Sequence, residues 1–235
     1  MATPQALAIV IPALDEIANL RKVIPAVQRA LRPSDVRVTI FVVVGRDCSE
    51  ADRTELYELG AQPIRRDPTD SFGDAIRSGI QACGPDTDVV IFMDADGSHD
   101  PASIPRLLAE ADKADIVIAS RYVKGGRSDN GLALRAMSRT LNLAYGLVLG
   151  IRCNDISTNF KLFHYADIRD VTLTCRNFDV VEELLFRVRQ AKGPSLRVLE
   201  IPDYFRERDE GETKRSLGPF VASYIATLVR LRVKG

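Results

Sequence analysis

The segment Asp94-Ala95-Asp96-Gly97-Ser98-His99-Asp100-Pro101 follows directly on the apolar run Val89–Met93. Two carboxylates spaced by one residue at the end of a buried strand cannot both turn into an apolar core without a counter-charge. Turned outward together, Asp94 and Asp96 make a hard-oxygen site suited to Mg²⁺ or Mn²⁺, and such an ion can bridge the oxygens of a diphosphate. A pair of loop-capping aspartates is the simpler reading of an isolated Asp-x-Asp. Its placement straight after VVIFM argues for the metal site. Further polar clusters stand after the first apolar run, in Pro12-Ala13-Leu14-Asp15-Glu16, and near the C-terminal end, in RERDEGETKRS.

The elements that must carry these groups alternate. Leu7–Ile11, Val38–Val44, Val89–Met93 and Ile116–Ala119 are unbroken apolar runs rich in β-branched residues, as strands buried on both faces require. Between them, Leu20, Val23, Ile24, Val27 and Leu31 form one helical stripe, with Pro25 read as a first-turn residue. Ala75, Ile76, Gly79, Ile80 and Cys83 form a second, and Ile104, Leu107, Leu108 and Ala111 a third. Repeated βαβ units predict an α/β fold, three layers deep, around a mostly parallel sheet whose sites lie beyond the carboxyl ends of its strands. The second half reads as a long amphipathic segment Leu132–Gly150, a short strand Phe160–Phe163, a helix over Asp179–Gln190, a strand Leu196–Ile201 and a closing helix Pro219–Val233.

Composition narrows the possible functions. With 32 basic and 32 acidic residues in 235, no global field favours nucleic acid. Cys48, Cys83, Cys153 and Cys175 are scattered without metal-ligand spacing and predict free thiols in a reducing cytoplasm. The apolar opening is broken by Pro12 and Asp15 and lacks a basic leader, so it reads as a strand rather than a signal peptide. Leu141–Ile151 is the longest apolar stretch and is too short to cross a bilayer. The expectation is a cytoplasmic protein, peripheral on the cytosolic face of a membrane.

An Asp-x-Asp-Gly-Ser after a buried strand also suits a haloacid-dehalogenase-type phosphatase, whose first Asp is a nucleophile. That chemistry expects the motif on the opening strand and a later Gly-Asp pair, neither of which is found here. The pieces VIPALDE, FGDAIRSGI, FMDADGSHDP, ASRYVKGG, SRTLNLAYGLVLG, DISTNFKLF and EIPDYFRERDEGETK together resemble glycosyltransferase family 2 of the GT-A fold. Within it they resemble the dolichol-phosphate, or polyprenyl-phosphate, mannose synthase group, in the family's order from about residue 8 to 214.

The resemblance implies a metal-dependent, inverting transfer of a hexose from a nucleotide-sugar to a polyprenyl phosphate. Pro12, Ala13 and Glu16 match the loop that cradles base and ribose, and Asp94 with Ala95 matches the nucleotide side of the acidic motif. Asp94 and Asp96 match the Mg²⁺ or Mn²⁺ centre, with Ser98 beside the metal. Arg208 and Lys214 match a loop that closes over the donor diphosphate, where cations stabilise charge on the departing nucleotide. Arg121, Arg135 and Ser138 match groups that hold the acceptor phosphate, a role suited to guanidinium forks. Asp155 matches an acid facing the site, as base for a hydroxyl acceptor or as an orienting group for a phosphate. Arg135, Ser138 and Asn142 share one face if the segment is helical.

The departures concern specificity. Gly45-Arg46 stands where relatives carry paired acids, with Asp47 displaced, and Asn159 and Lys161 stand where Gly and Arg are usual. GDP-mannose is the leading donor; a UDP-sugar or a soluble hydroxyl acceptor is the alternative, and a catalytically inactive nucleotide-binding paralogue a further one. Residues 1–215 are read as the catalytic domain. Residues 216–235 are read as an amphipathic helix, on the membrane or on the core, and a small membrane subunit is a possible partner.

Overall fold

The computed structural model describes residues 4–206 together with Thr227, Leu228 and Arg230. Strands β1 (Ala6–Pro12), β2 (Arg37–Val44), β3 (Gln62–Arg65) and β4 (Val89–Phe92) are joined by helices α1 (Ile17–Leu31), α2 (Glu50–Glu58) and α3 (Phe72–Ala82). After the short helix α4 (Ile104–Leu108) come β5 (Ile116–Ser120), β6 (Arg127–Ser128) and the long α5 (Leu132–Leu149). Strand β7 (Lys161–His164), helices α6 (Tyr165–Ile168) and α7 (Val180–Lys192), and strands β8 (Val198–Pro202) and β9 (Tyr204–Phe205) follow.

The seven-stranded sheet has the order β3-β2-β1-β4-β7-β5-β8 and is parallel except for β7. Alternate strand residues go to opposite faces. Ile9, Ile11, Val42, Ile91 and Val117 pack with Leu20, Ile24, Leu56 and Leu107 from α1, α2 and α4. Val10, Val43, Phe92 and Ile118 pack with Ile76, Ile80, Tyr145 and Leu185 from α3, α5 and α7. The three-layer arrangement expected from the continuous apolar runs is therefore present.

Order β3-β2-β1-β4 means that the chain leaves β1 toward one edge and returns to β4 on its other side. Loops after β1 and β4 consequently diverge and leave a crevice at the carboxyl end of the sheet. Helix α3 is placed against this sheet by close approach. A Cβ on Gly79 would lie 2.3 Å from Val10 Cγ1, which no side chain tolerates.

Some local expectations change. Pro25 sits inside α1, not in its first turn. The helix starts at Ile17, and burial of Leu20, Val23, Ile24, Val27 and Leu31 outweighs the one backbone hydrogen bond that proline removes. The third helical stripe is short: α4 stops at Leu108, and Ala111 is buried from the turn beyond it. Strand β3 had no sequence signal because it is an edge strand of four residues containing Pro63. Of the closing helix, Thr227, Leu228 and Arg230 are described and helical.

Candidate active site

The acidic turn leaves β4 at its carboxyl end. Gly97 adopts φ +77°, a conformation that L side chains rarely enter, and the chain turns back sharply there. The amide and hydroxyl of Ser98 both donate to Asp96 Oδ1, at 3.1 and 2.5 Å. Ser98, expected beside the metal, is wholly buried and in this arrangement orients the Asp96 carboxylate. Asp94 is partly open; its Oδ1 accepts from Asn159 Nδ2 at 3.1 Å. The Asp94 amide donates to Nδ1 of the buried His99, whose ring stacks on Phe160 at 4.9 Å and meets Phe205 edge-on at 5.6 Å. His99 thus shapes the turn through the backbone.

Among the described residues no three His, Cys, Asp or Glu side chains converge on one point. A cation here would take Asp94 and Asp96 from the protein and the rest of its shell from phosphate oxygens and water. That division suits Mg²⁺ or Mn²⁺, which commonly bind through one or two carboxylates plus substrate phosphate. The donor set present therefore fits such an ion.

At the carboxyl ends of β1 and β2 lies a cleft of about 250 Å³ lined by Ala13, Glu16, Gly45, Asp47, Asp52 and Asp70. Ala13, Glu16 and Asp47, singled out far apart in sequence, come together here, while Pro12 is buried as the last residue of β1. Ala95 is buried in the turn. Sequence reasoning missed Asp70 and Arg66. Asp70 Oδ1 accepts from the Arg46 amide at 2.7 Å, and the Arg66 guanidinium, buried behind the cleft, donates to the Asp70 carbonyl at 2.7 Å. Burial pulls the Arg66 pKa down, while Asp70, Glu16 and Asp15 hold its charge. The dipeptide Arg65-Arg66 carries no sign of which arginine turns inward.

The other side of the crevice is built around an ion pair. Arg121 follows β5 and donates from Nε and Nη2 to both oxygens of Asp155, at 2.8 and 2.6 Å, with its own amide adding a third bond at 2.9 Å. Burial raises the Asp155 pKa, but the Arg121 charge, its hydrogen bonds and nearby Lys161 outweigh this and hold the carboxyl below its usual range. Asp155 is wholly buried, with both carboxylate oxygens on Arg121. Asn142 of α5 accepts from the Ser157 amide at 3.0 Å and so ties the helix to this segment. Glu200 of β8 holds the amides of Asn154 and Asp155 at 2.8 and 3.1 Å. Lys161, buried on β7, donates to the carbonyls of Ile156 and Thr158.

Residues 154–161 therefore connect the two sides, with Asp155 on Arg121 and Asn159 on Asp94. Arg135 and Ser138 lie on α5 about two turns and one turn before Asn142, both half-buried. The Arg135 amide donates to the Gly131 carbonyl at 3.0 Å, and its guanidinium makes no hydrogen bond or ion pair among the described residues. Arg208 and Lys214 lie outside the described residues. Arg206 is anchored at the acidic turn, its amide donating to the Ser98 carbonyl at 2.8 Å and its side chain to Asp100 at 3.0 Å.

Comparison with known proteins places this geometry. The description Glycosyl transferase family 2 matches residues 8–184. An undecaprenyl-phosphate mannosyltransferase of Micrococcus luteus is 29% identical over 94% of this chain and 91% of its own. An uncharacterized glycosyltransferase of Mycobacterium bovis is 32% identical over 95% of each. A dolichol-phosphate mannosyltransferase of Pyrococcus furiosus is 29% identical over 95% of this chain, which spans 62% of that relative. The solved structure of glucosyl-3-phosphoglycerate synthase from Mycobacterium tuberculosis, in complex with Mn²⁺, uridine diphosphate and glucosyl-3-phosphoglycerate, superposes with a TM-score of 0.71 at 18% identity. It covers 97% of this chain and 80% of its own, and the shared fold is the GT-A type. With the phosphatase alternative thereby set aside, the chain belongs to glycosyltransferase family 2.

Proposed function

We propose that the protein transfers a hexose from a nucleotide-sugar, GDP-mannose first among candidates, to a polyprenyl phosphate, working at the surface of a membrane. The observation that carries this is the joining of two unlike half-sites by one segment. On one side Asp94 and Asp96 follow β4, which pairs with β1, and the loop after β1 lines an open cleft; on the other Arg121 is braced by Asp155, which Asn142 of α5, the helix that carries Arg135 and Ser138, also reaches. The names of the Micrococcus and Pyrococcus relatives support the lipid acceptor.

On this reading the cleft between Ala13 and Asp47 takes the base and ribose, and Asp94 and Asp96 hold a divalent cation against the diphosphate. The ion supplies positive charge to the departing nucleoside diphosphate. Arg208 and Lys214 contribute further cations there. Arg121, held by Asp155, and Arg135 with Ser138 receive the acceptor phosphate. An ionised phosphate needs no base, which agrees with a buried Asp155 already engaged by a guanidinium. A soluble hydroxyl acceptor would need Asp155 to take a proton, for which its lowered pKa is poorly matched. Direct displacement then inverts the anomeric centre, visible in the NMR coupling of the product.

The test is a donor screen, GDP- and UDP-sugars with Mn²⁺, against a short polyprenyl phosphate, reading lipid-linked product by mass. Product with one donor and loss of turnover in EDTA are expected. Transfer to a free saccharide and none to any polyprenyl phosphate would overturn the lipid assignment. Binding of nucleotide with no transfer to anything would identify an inactive paralogue.

A further inference from the structure

Lys161 opens β7 and is only 1% exposed. It pairs with Phe92 of β4 on one side and with Ile118 of β5 on the other. Asp94 follows Phe92 by two residues, and Arg121 follows Ile118 by three. The residue therefore stands midway between the strands that end at the two half-sites.

An ammonium group is costly to bury, and this one keeps its charge through specific partners. Its Nζ donates to the Ile156 carbonyl at 2.8 Å and to the Thr158 carbonyl. Burial pulls its pKa down and Arg121 adds to this, while Glu182 of α7, then Asp155, then Cys153 oppose it. Glu182 is itself wholly buried. Apolar residues of similar volume often replace a buried ion pair without loss of stability. What an apolar side chain cannot do is hold two carbonyls in fixed directions.

Those carbonyls belong to a stretch that needs such a hold. Residues 151–160 lie between α5 and β7 and form no helix or strand. Both cross-links between the half-sites leave from it. Asp155 takes the Arg121 guanidinium, with Ser157 Oγ accepting a further bond from Arg121 Nη2 at 3.0 Å. Asn159 reaches Asp94. Closing Lys161 onto residues 156 and 158 fixes the loop between these two anchor points. The usual glycine at 159 has no side chain to reach Asp94, so the second cross-link is a feature of this chain.

We propose that Lys161 is a positioning residue for both half-sites, setting the directions of Arg121 and Asp94 through one loop while touching neither substrate. This rests on the reading above for what those residues bind, a cation at Asp94 and an acceptor phosphate at Arg121.

The experiment compares the full wild-type chain with Lys161→Met, Lys161→Arg and Lys161→Met/Glu182→Gln. The double variant removes the buried pair together, so Glu182 is not left as a lone buried charge. Three quantities are measured: the NMR signals of Asn159 Nδ2 and Arg121 Nε without ligand, Mn²⁺ affinity by electron paramagnetic resonance, and the KM for a short polyprenyl phosphate. In the double variant both signals should shift under a native circular-dichroism spectrum. Its Mn²⁺ affinity should fall about tenfold and its acceptor KM rise about tenfold. Lys161→Arg keeps the charge and the donors and should stay near wild type in all three. A folded double variant that moves none of them, or only its melting temperature, would overturn the proposal. So would movement at one half-site alone, since a single loop sets both. If both NMR signals move but wild type binds no Mn²⁺ and transfers no sugar, Lys161 still holds the loop, and the cation-and-phosphate reading is what fails.

Discussion

The two sides of the crevice are built in different ways. On the side proposed for the donor, Ala13–Glu16, Gly45–Cys48 and Asp94–Asp100 each leave the end of a neighbouring parallel strand, and each is a short contiguous motif. The strand ends place them, and single hydrogen bonds to Asp70 and from Asn159 trim them. On the side proposed for the acceptor Arg121 also leaves a strand, but its orientation depends on Asp155, 34 residues away, which is held in turn by Glu200 of β8. Strand ends can position a carboxylate that faces solvent. A cation that must sit in one direction, nearly desolvated, needs partners from several elements.

That difference can be broken deliberately. Arg121→Ala should cost the most, because it leaves Asp155 buried without its counter-charge. Breaking one half of such a pair costs about 3–5 kcal/mol, measurable as a lower urea midpoint, and Arg121→Ala/Asp155→Ala should recover much of it. Asp96→Ala should instead leave stability nearly intact and remove activity. Loss of a preorganised electrostatic partner is worth about 10²–10³ in kcat, and unchanged turnover would refute the metal site.

Arg135→Ala separates acceptor binding from bracing. It should raise the acceptor KM by about one to two orders of magnitude, the worth of a charge-assisted contact, without moving the urea midpoint or donor affinity. Acid should act through Asp74, in the first turn of α3. Its burial is outweighed by hydrogen bonds from Ser71, Thr69 and Arg77, which bring its pKa down to about 2. A carboxylate depressed in the folded state contributes stability above its unfolded pKa and loses it as pH falls through the folded value. About 2 kcal/mol should therefore disappear between about pH 4 and pH 2, and Asp74→Asn should flatten that part of the profile. Asn159→Gly is the mildest change. Releasing Asp94 Oδ1 should weaken Mn²⁺ binding, followed by electron paramagnetic resonance, by about tenfold.

Much of the donor side was legible beforehand. Continuous apolar runs announced the strands, and the carboxyl-end rule located the loops, the one carrying Asp94 and Asp96 among them. His99 stood inside that motif, yet a lone histidine gives no sign that its ring will accept the Asp94 amide and stack on Phe160. Asn159 was visible only as a departure from glycine. Its reach to Asp94 spans 65 residues and exists because β7 enters the sheet beside β4.

By itself the sequence determined the alternation of strands and helices, the acidic turn and the two unlike clusters of charge, because periodicity and strand ends are local properties. Tertiary structure alone decided that Arg121 is spent on Asp155, that Arg66 is buried behind the cleft, and that one face of α5 stays uncovered. For Arg121 the physical reason is the antiparallel insertion of β7 between β4 and β5, which brings residues 154–161 across the crevice; for Arg66 it is the pairing of β3 with β2. Through-space partners of this kind depend on sheet order, and no residue spacing encodes it.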